Sequence, residues 1–313
     1  MTWDRIPILS SKKPAATTAG FLFCAFCCSK SRMKIVILGA AGQLGRQLAR
    51  VLPDAVSLKH EDADLTKPDH LRQTLAQLRP WVVVNAAGYT HVDRAETNAD
   101  GAFAVNAHGV RDLAVICREL DSPLIHISTN YVFGADDLRT TPYRESDVPG
   151  PISVYGASKL LGECHVQAMC PKHFILRTCG LYGPGGQRSN FVEAMLRQAE
   201  KGAAIRVVDD QVCTPTSAFD LAYAVRGLVD SETYGLYHVT NSSACSWHEF
   251  ARSIFEMTKR RVELVAIASS AYPALARRPR YSVLDNSRWI GAGFTPLRSW
   301  QEALAQYLAE RVS

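Results

Sequence analysis

An apolar run, Ile35-Val36-Ile37-Leu38, passes directly into Gly39-Ala40-Ala41-Gly42-Gln43-Leu44-Gly45, after which apolar residues recur at helical spacing. Strand, glycine-rich turn and helix in that order leave few folds open. Gly39 is expected to make the tight turn out of a buried strand. Gly42 would let the backbone approach a pyrophosphate, and Gly45 would let the helix pack closely on the strand. The helix start, with Gln43 and Leu44 in its first turn, would present free N–H groups to the phosphates.

The rest of the chain repeats this alternation. Strand-length apolar runs are expected at 34–38, 56–58, 81–85, 124–128 and 174–177, with helices over 43–52, 69–78, 100–120 and 153–170. Pro68 stands where a first helical turn tolerates it. The pattern predicts an α/β protein, a Rossmann-type doubly wound parallel sheet, with a smaller C-terminal substrate-binding lobe. Beyond Gly180 the alternation weakens into turn-rich pieces such as Gly183-Pro184-Gly185-Gly186 and Ala271-Tyr272-Pro273. The expected division is a dinucleotide-binding domain over 33–179, to which 214–240 returns, and a substrate lobe from 180–213 and 241–313. Met33-Lys34-Ile35-Val36 reads as a natural start, so 1–32 is expected to lie outside the fold.

Composition narrows the function classes. With 47% hydrophobic and 21% charged residues over 313 positions, the chain can bury a sizeable core. A net charge of +5, spread along the chain, gives no footprint for nucleic acid. The apolar stretch 19–28 follows Lys12-Lys13 but is too short to span a bilayer, so no membrane association is expected. Cys24, Cys27 and Cys28 fall in that extension and are taken as incidental. Cys117, Cys164, Cys170, Cys179, Cys213 and Cys245 show neither metal-ligand spacing nor a disulfide framework, and read as buried thiols of a cytoplasmic protein. His91, His126 and His238 lie among apolar neighbours and are read as core or supporting histidines; no metal ligand set is assigned, and no divalent-cation site can be named.

A second constellation carries chemistry. Tyr155 and Lys159 in Tyr155-Gly156-Ala157-Ser158-Lys159 are four apart near a predicted helix start, hence on one face. A free phenol titrates near about 10, so it exchanges protons poorly at neutral pH unless a nearby cation stabilises the phenolate. Lys159 can be that cation. The fourth strand ends in Ser128-Thr129, which delivers a hydroxyl to the C-terminal edge of the sheet, where open α/β sheets bind ligands. The second strand ends in Lys59 with no carboxylate there, which favours the 2′-phosphate of NADP(H); NAD(H) is the alternative.

These motifs resemble the extended short-chain dehydrogenase/reductase superfamily and, within it, the dTDP-4-dehydrorhamnose reductase family. The likeness covers most of 33–313 and is sharpest at 35–45, 84–96, 127–133, 154–162 and 209–220. It implies an NADP-dependent oxidoreductase that reduces the 4-keto group of a nucleotide-linked deoxysugar. Thr129 would hydrogen-bond the ketone oxygen, Tyr155 protonate it, and Lys159 tune Tyr155 and hold the nicotinamide ribose. Asp64 and Leu65 resemble the adenine-binding pair, and Ala86, Ala87, Gly88 and Tyr89 the turn that lies along the cofactor. Asn130, Tyr131, Asn190, Phe191, Thr214 and Arg280 are the implied substrate contacts, with Ser189, Arg277 and Arg278 beside them. A nucleotide sugar is the expected partner, and a homodimer is compatible with the chain.

Two departures stand beside the sugar. Family members carry an aspartate where Asn130 stands and an aromatic residue where Gly180 stands, so a charge and an aromatic wall are missing. Related functions share the framework: sugar-nucleotide epimerases or dehydratases, which reuse a bound cofactor, and the regulatory subunit of methionine adenosyltransferase, which acts by binding its partner enzyme. Lys59 speaks against the tightly held NAD of an epimerase or dehydratase, and the set Thr129, Tyr155 and Lys159 points to an enzyme rather than a binding protein.

Overall fold

The computed structural model describes residues 34–185 and 190–312. The extension 1–32 with its three cysteines, Met33, Gly186 and Ser189 lie outside the described residues.

Five strands form before Gly180: β1 (Ile35–Leu38), β2 (Val56–Leu58), β3 (Val82–Asn85), β4 (Leu124–Thr129) and β5 (His173–Thr178). Short strands β6 (Leu181–Tyr182), β7 (Ile205–Val208), β8 (Val212–Cys213) and β9 (Thr216–Ser217) follow, then β10 (Gly235–His238), β11 (Cys245–Ser246) and β12 (Leu264–Ile267). The main sheet is parallel throughout in the order β2-β1-β3-β4-β5-β10, so the segment around 235–238 returns to it.

Alternate residues of these strands feed two cores. Val36, Leu38, Val83, Leu124 and Ile175 pack under α2 (Pro68–Leu78), α5 (Gly109–Glu119) and α6 (Val154–Met169). Ile37, Val82, Val84, Ile125, Phe174 and Leu176 face α1 (Gln43–Val51) and α8 (Ala218–Leu228). A parallel sheet covered on both faces needs such near-continuous apolar strands, and each fully buried Leu contributes about 2 kcal/mol relative to an exposed one.

One stretch departs from the expected single helix over 100–120. Helices α3 (Val92–Thr97) and α4 (Ala99–Phe103) are separate, and a π turn over Ala104–His108 precedes α5. The wide turn swings Asn106 inward: its Oδ1 accepts the Tyr89 N–H at 2.8 Å, and its Nδ2 donates to Tyr89 O at 3.0 Å and Ser158 Oγ at 3.1 Å. Apolar periodicity carries no mark of such a bulge.

A further core joins Tyr182, Met195, Ile205, Phe250, Ile254 and Trp300 across α7 (Phe191–Ala199), α9 (Trp247–Met257) and α11 (Trp300–Val312), with β7 and β12 paired in parallel. A short α10 (Ser287–Gly291) lies between α9 and α11 in the chain. Cys164 is exposed, unlike the other five described thiols, because it sits on the outer face of α6.

Gly45 has no room for a side chain, since an added Cβ would overlap the Gly39 carbonyl oxygen and stand 2.6 Å from Ala40 Cα. Gly45→Ala should therefore lower unfolding stability by about 1–3 kcal/mol. Denaturant unfolding checks this, and an unchanged midpoint would refute close packing of α1 on β1.

Candidate active site

Strand order reverses between β1 and β3, and a cleft of about 1100 Å³ opens beyond the C-terminal ends of the sheet there. Gly39 turns at φ +78°, and a Cβ on it would stand 2.7 Å from Ala87 N, so the β1 and β3 turns touch backbone to backbone. Gly42 caps α1 with no side chain bonded to its first-turn N–H groups and no acidic residue among them. That end is therefore open to an anion. Gly39, Gly42, Gln43, Leu44, Ala86, Ala87, Gly88 and Tyr89 all line the cleft. Tyr89 Oη is buried without a partner, a polar group left for a ligand. Gln43 Oε1 accepts the Gly183 N–H at 2.9 Å and joins the first turn of α1 to the loop after β6. Gly45 lies behind the wall, in the α1 packing.

At the far end, Asp64 and Leu65 line the cleft with His60. Burial raises the Asp64 pKa, but hydrogen bonds from Thr66 and the charges of His60 and Lys67 outweigh it and hold the carboxyl below its ordinary value. Lys59 stands outside the wall. Its Nζ is 3.8 Å from Glu61, and its backbone N–H donates to Asp62 at 2.9 Å, so carboxylates flank the cation that sequence reasoning aimed at a phosphate.

The catalytic candidates meet at the opposite end. Ser153 caps α6 by accepting the Gly156 N–H at 3.1 Å, and Glu96 accepts the Val154 N–H at 2.9 Å, which starts the helix just before Tyr155. Gly156 lets that turn press against the Tyr131 carbonyl. Tyr155 is in hydrogen-bond contact with Thr129, and burial outweighs that bond to push its pKa up to about 12. Lys159 is buried one turn on, donating from Nζ to the Ile127 carbonyl at 2.6 Å with His126 Nε2 at 3.4 Å. Burial brings its pKa down to about 8 although Glu163 raises it. Tyr155, Lys159, Thr129, Asn130 and Tyr131 share the cleft wall. The Tyr131 ring meets Tyr155 edge-on at 5.6 Å, and burial raises its phenol pKa.

Asn130 donates from Nδ2 to Ser282 Oγ at 2.8 Å, which fixes its amide within the wall. Gly180, at φ +51°, leaves space that Trp247 approaches: a Cβ there would lie 3.2 Å from the indole edge. Phe191 packs on Trp247 with centroids 4.7 Å apart, and both rings face the cleft, so aromatic surface is present despite the glycine.

Other implied substrate contacts are placed differently. Asn190 is buried and donates to Gly183 O at 2.8 Å and Gln43 Oε1 at 3.2 Å. Thr214 is buried, its carbonyl accepting the Thr216 hydroxyl at 3.2 Å. Arg280 is exposed, its carbonyl accepting the Val212 N–H at 2.7 Å, and Arg277 is exposed too. Of the three arginines at 277, 278 and 280, Arg278 lines the cleft, paired with Asp93 at 2.7 Å. His126 and His238 are buried, whereas His91 faces the cleft. Asn106, Asp93, Trp247 and Arg278 are wall residues with no local motif to reveal them, except that Arg278 stands within a basic run.

The chain matches the family described as RmlD substrate binding domain over residues 33–313. It is 42% identical over 282 residues to a dTDP-4-dehydrorhamnose reductase of Mycolicibacterium smegmatis, covering 88% of this chain and 85% of that one. A probable dTDP-4,6-dihydroxy-2-methyloxan-3-one 4-ketoreductase of Streptomyces antibioticus is 39% identical over 281 residues, 88% of this chain and 94% of that one. Among solved structures, dTDP-4-dehydrorhamnose reductase from Bacillus anthracis in complex with NADP superposes with a TM-score of 0.85 at 37% identity, covering 89% of this chain and 99% of that one. Fold and sequence agree, and the chain belongs to the dTDP-4-dehydrorhamnose reductase family.

Proposed function

We propose that this protein reduces the 4-keto group of a dTDP-linked deoxysugar with NADPH, converting dTDP-4-dehydro-L-rhamnose to dTDP-L-rhamnose. The observation that carries this reading is the contact of the Tyr155 phenol with Thr129 at the cleft, with Lys159 one turn behind. Relatives that act on dTDP-4-keto sugars, and one bound to NADP, support the substrate class and the cofactor. Residues 33–179 with 214–240 would hold the cofactor, and 180–213 with 241–313 the sugar nucleotide. We place the reaction in the cytoplasm, where sugar nucleotides are made; no helix of the described residues is long and apolar enough to cross a membrane.

NADP(H) fits the cleft: the uncapped start of α1, the close Gly39–Ala87 approach and the orphan Tyr89 hydroxyl suit a dinucleotide. When bound, it supplies a hydride to C4 of the sugar. The protein's own groups manage the charge and the proton. As electrons gather on the ketone oxygen, Thr129 hydrogen-bonds it and Tyr155 passes its phenolic proton to it, so hydride and proton together yield the alcohol. The phenolate left on Tyr155 is stabilised by the Lys159 ammonium, held in place by Ile127 O. Arg278 is suited to the substrate diphosphate, with Asp93 fixing its guanidinium plane.

Following NADPH absorbance with dTDP-4-dehydro-L-rhamnose generated in place should show turnover by the wild type. Tyr155→Phe should lose about 10²- to 10⁴-fold in kcat while still binding NADPH. A wild type that binds NADPH and consumes none would overturn the reductase reading and leave a regulatory role standing.

A second expectation concerns pH. With burial setting the Lys159 pKa at about 8, the ammonium that supports proton transfer is present below that value and lost above it. The profile of kcat/KM should fall as pH rises through about 8. Lys159→Arg, which stays charged, should retain weak activity without that limb. A limb of unchanged position in the arginine variant would assign it to another group.

A further inference from the structure

Thr178 ends β5 and is the register partner of Thr129 across the β4–β5 ladder, so the two hydroxyl side chains stand on the same face at the C-terminal edge of the sheet. Thr129 is occupied: its Oγ1 accepts the Tyr131 N–H at 3.2 Å and contacts the Tyr155 phenol. Thr178 is not. It lines the cleft, is 5% exposed, and its Oγ1 is buried without a hydrogen-bond partner. Native proteins rarely leave a buried hydroxyl unpaired unless a ligand completes it. The preceding residue, Arg177, turns to the opposite face and commits its guanidinium to Glu163 at 2.7 Å, so it brings no charge to Thr178.

We propose that Thr178 Oγ1 binds an uncharged hydrogen-bonding group of the reactants, the nicotinamide carboxamide or a ring hydroxyl of the hexose, and so orients them against Thr129 and Tyr155. This rests on the reductase reading. A hydroxyl suits the task because it can donate or accept, and on β5 it is held by the sheet rather than by a loop.

Thr178→Val and Thr178→Ser test this through three measurements: the NADPH dissociation constant by fluorescence, dTDP-L-rhamnose binding to NADP⁺-loaded protein by calorimetry, and the unfolding temperature of ligand-free protein. Removing an unpaired buried hydroxyl should leave the ligand-free Val variant as stable as wild type or more so. Its affinity for one ligand should fall about tenfold, with Ser returning it to within about twofold. Weaker NADPH binding identifies the carboxamide; weaker sugar-nucleotide binding with NADPH unaffected identifies the hexose hydroxyl. Both constants unchanged in the Val variant would overturn the proposal, as would a lower unfolding temperature with both affinities reduced and no recovery in Ser. If wild type binds NADPH but neither binds nor reduces the sugar nucleotide, the reductase reading fails, and the NADPH constant alone then decides the role of Thr178.

Discussion

Two opposite charges, Glu163 and Arg177, lie almost wholly out of water beneath the cleft, and the groups above them keep their places only while these stay paired. Arg177 donates from Nε and Nη2 to both carboxylate oxygens at 2.7 to 3.1 Å, with the two side chains 3% and 2% exposed. The Ser128 hydroxyl donates to the same carboxylate. One cluster thus fastens α6 to the ends of β4 and β5 at once. A buried pair of this kind adds little net stability over apolar packing, yet losing one partner strands a charge at a cost of about 3–5 kcal/mol. Its value here is geometric. Thr129 and Thr178 are the residues directly after Ser128 and Arg177, so the pleat that sends the ion pair to one face sends both hydroxyls to the other.

The electrostatics of the site follow from the same burial. Exclusion of water holds the proton on Tyr155 and loosens the one on Lys159, which moves the phenol and the ammonium apart in acidity and makes the ammonium the stronger acid of the two. Lys159 is kept from collapsing into the sheet by the Ile127 carbonyl in front and His126 beside it, whose Nδ1 pairs with Asn85 Nδ2 at 3.1 Å. Asn85 in turn accepts the Ala87 N–H at 3.1 Å, in the very turn that Gly39 touches. The proton-transfer end and the phosphate end of the cleft therefore share one hydrogen-bonded chain at the ends of β3 and β4.

Much of this was legible in the sequence where local chemistry and position coincide. The strands at Ile35, Val82 and Leu124 are apolar on both faces because the sheet is covered on both; Gly39 falls at the end of β1, and Tyr155 and Lys159 on the first turns of α6, all lining the crevice that the topology makes. What escaped depends on contacts between distant segments. Nothing near Arg280 tells that its backbone pairs with Val212, or that Arg278 finds Asp93 185 positions away. Lys59 looked like a phosphate ligand by sign alone; Glu61 and Asp62 become its neighbours only once the turn closes. The aromatic surface beside Gly180 comes from Trp247, on a helix 67 positions later, which no local pattern at 180 could announce.

The π turn over Ala104–His108 has a consequence for how such a cleft accommodates change. Both flanks of the helical run are pinned: Asn98 caps α4, and Gly109 presses so closely on the Leu65 backbone that a Cβ would stand 2.6 Å from its carbonyl oxygen. Between fixed ends a surplus residue cannot be absorbed by sliding either helix, so the ring of backbone widens and one side chain is extruded sideways. Here the extrusion points at Tyr89 and Ser158, and the residue it delivers is an amide. A length mismatch in the chain thereby becomes a polar strut between the cofactor-side turn and α6, placed without disturbing the packing of either helix on the sheet.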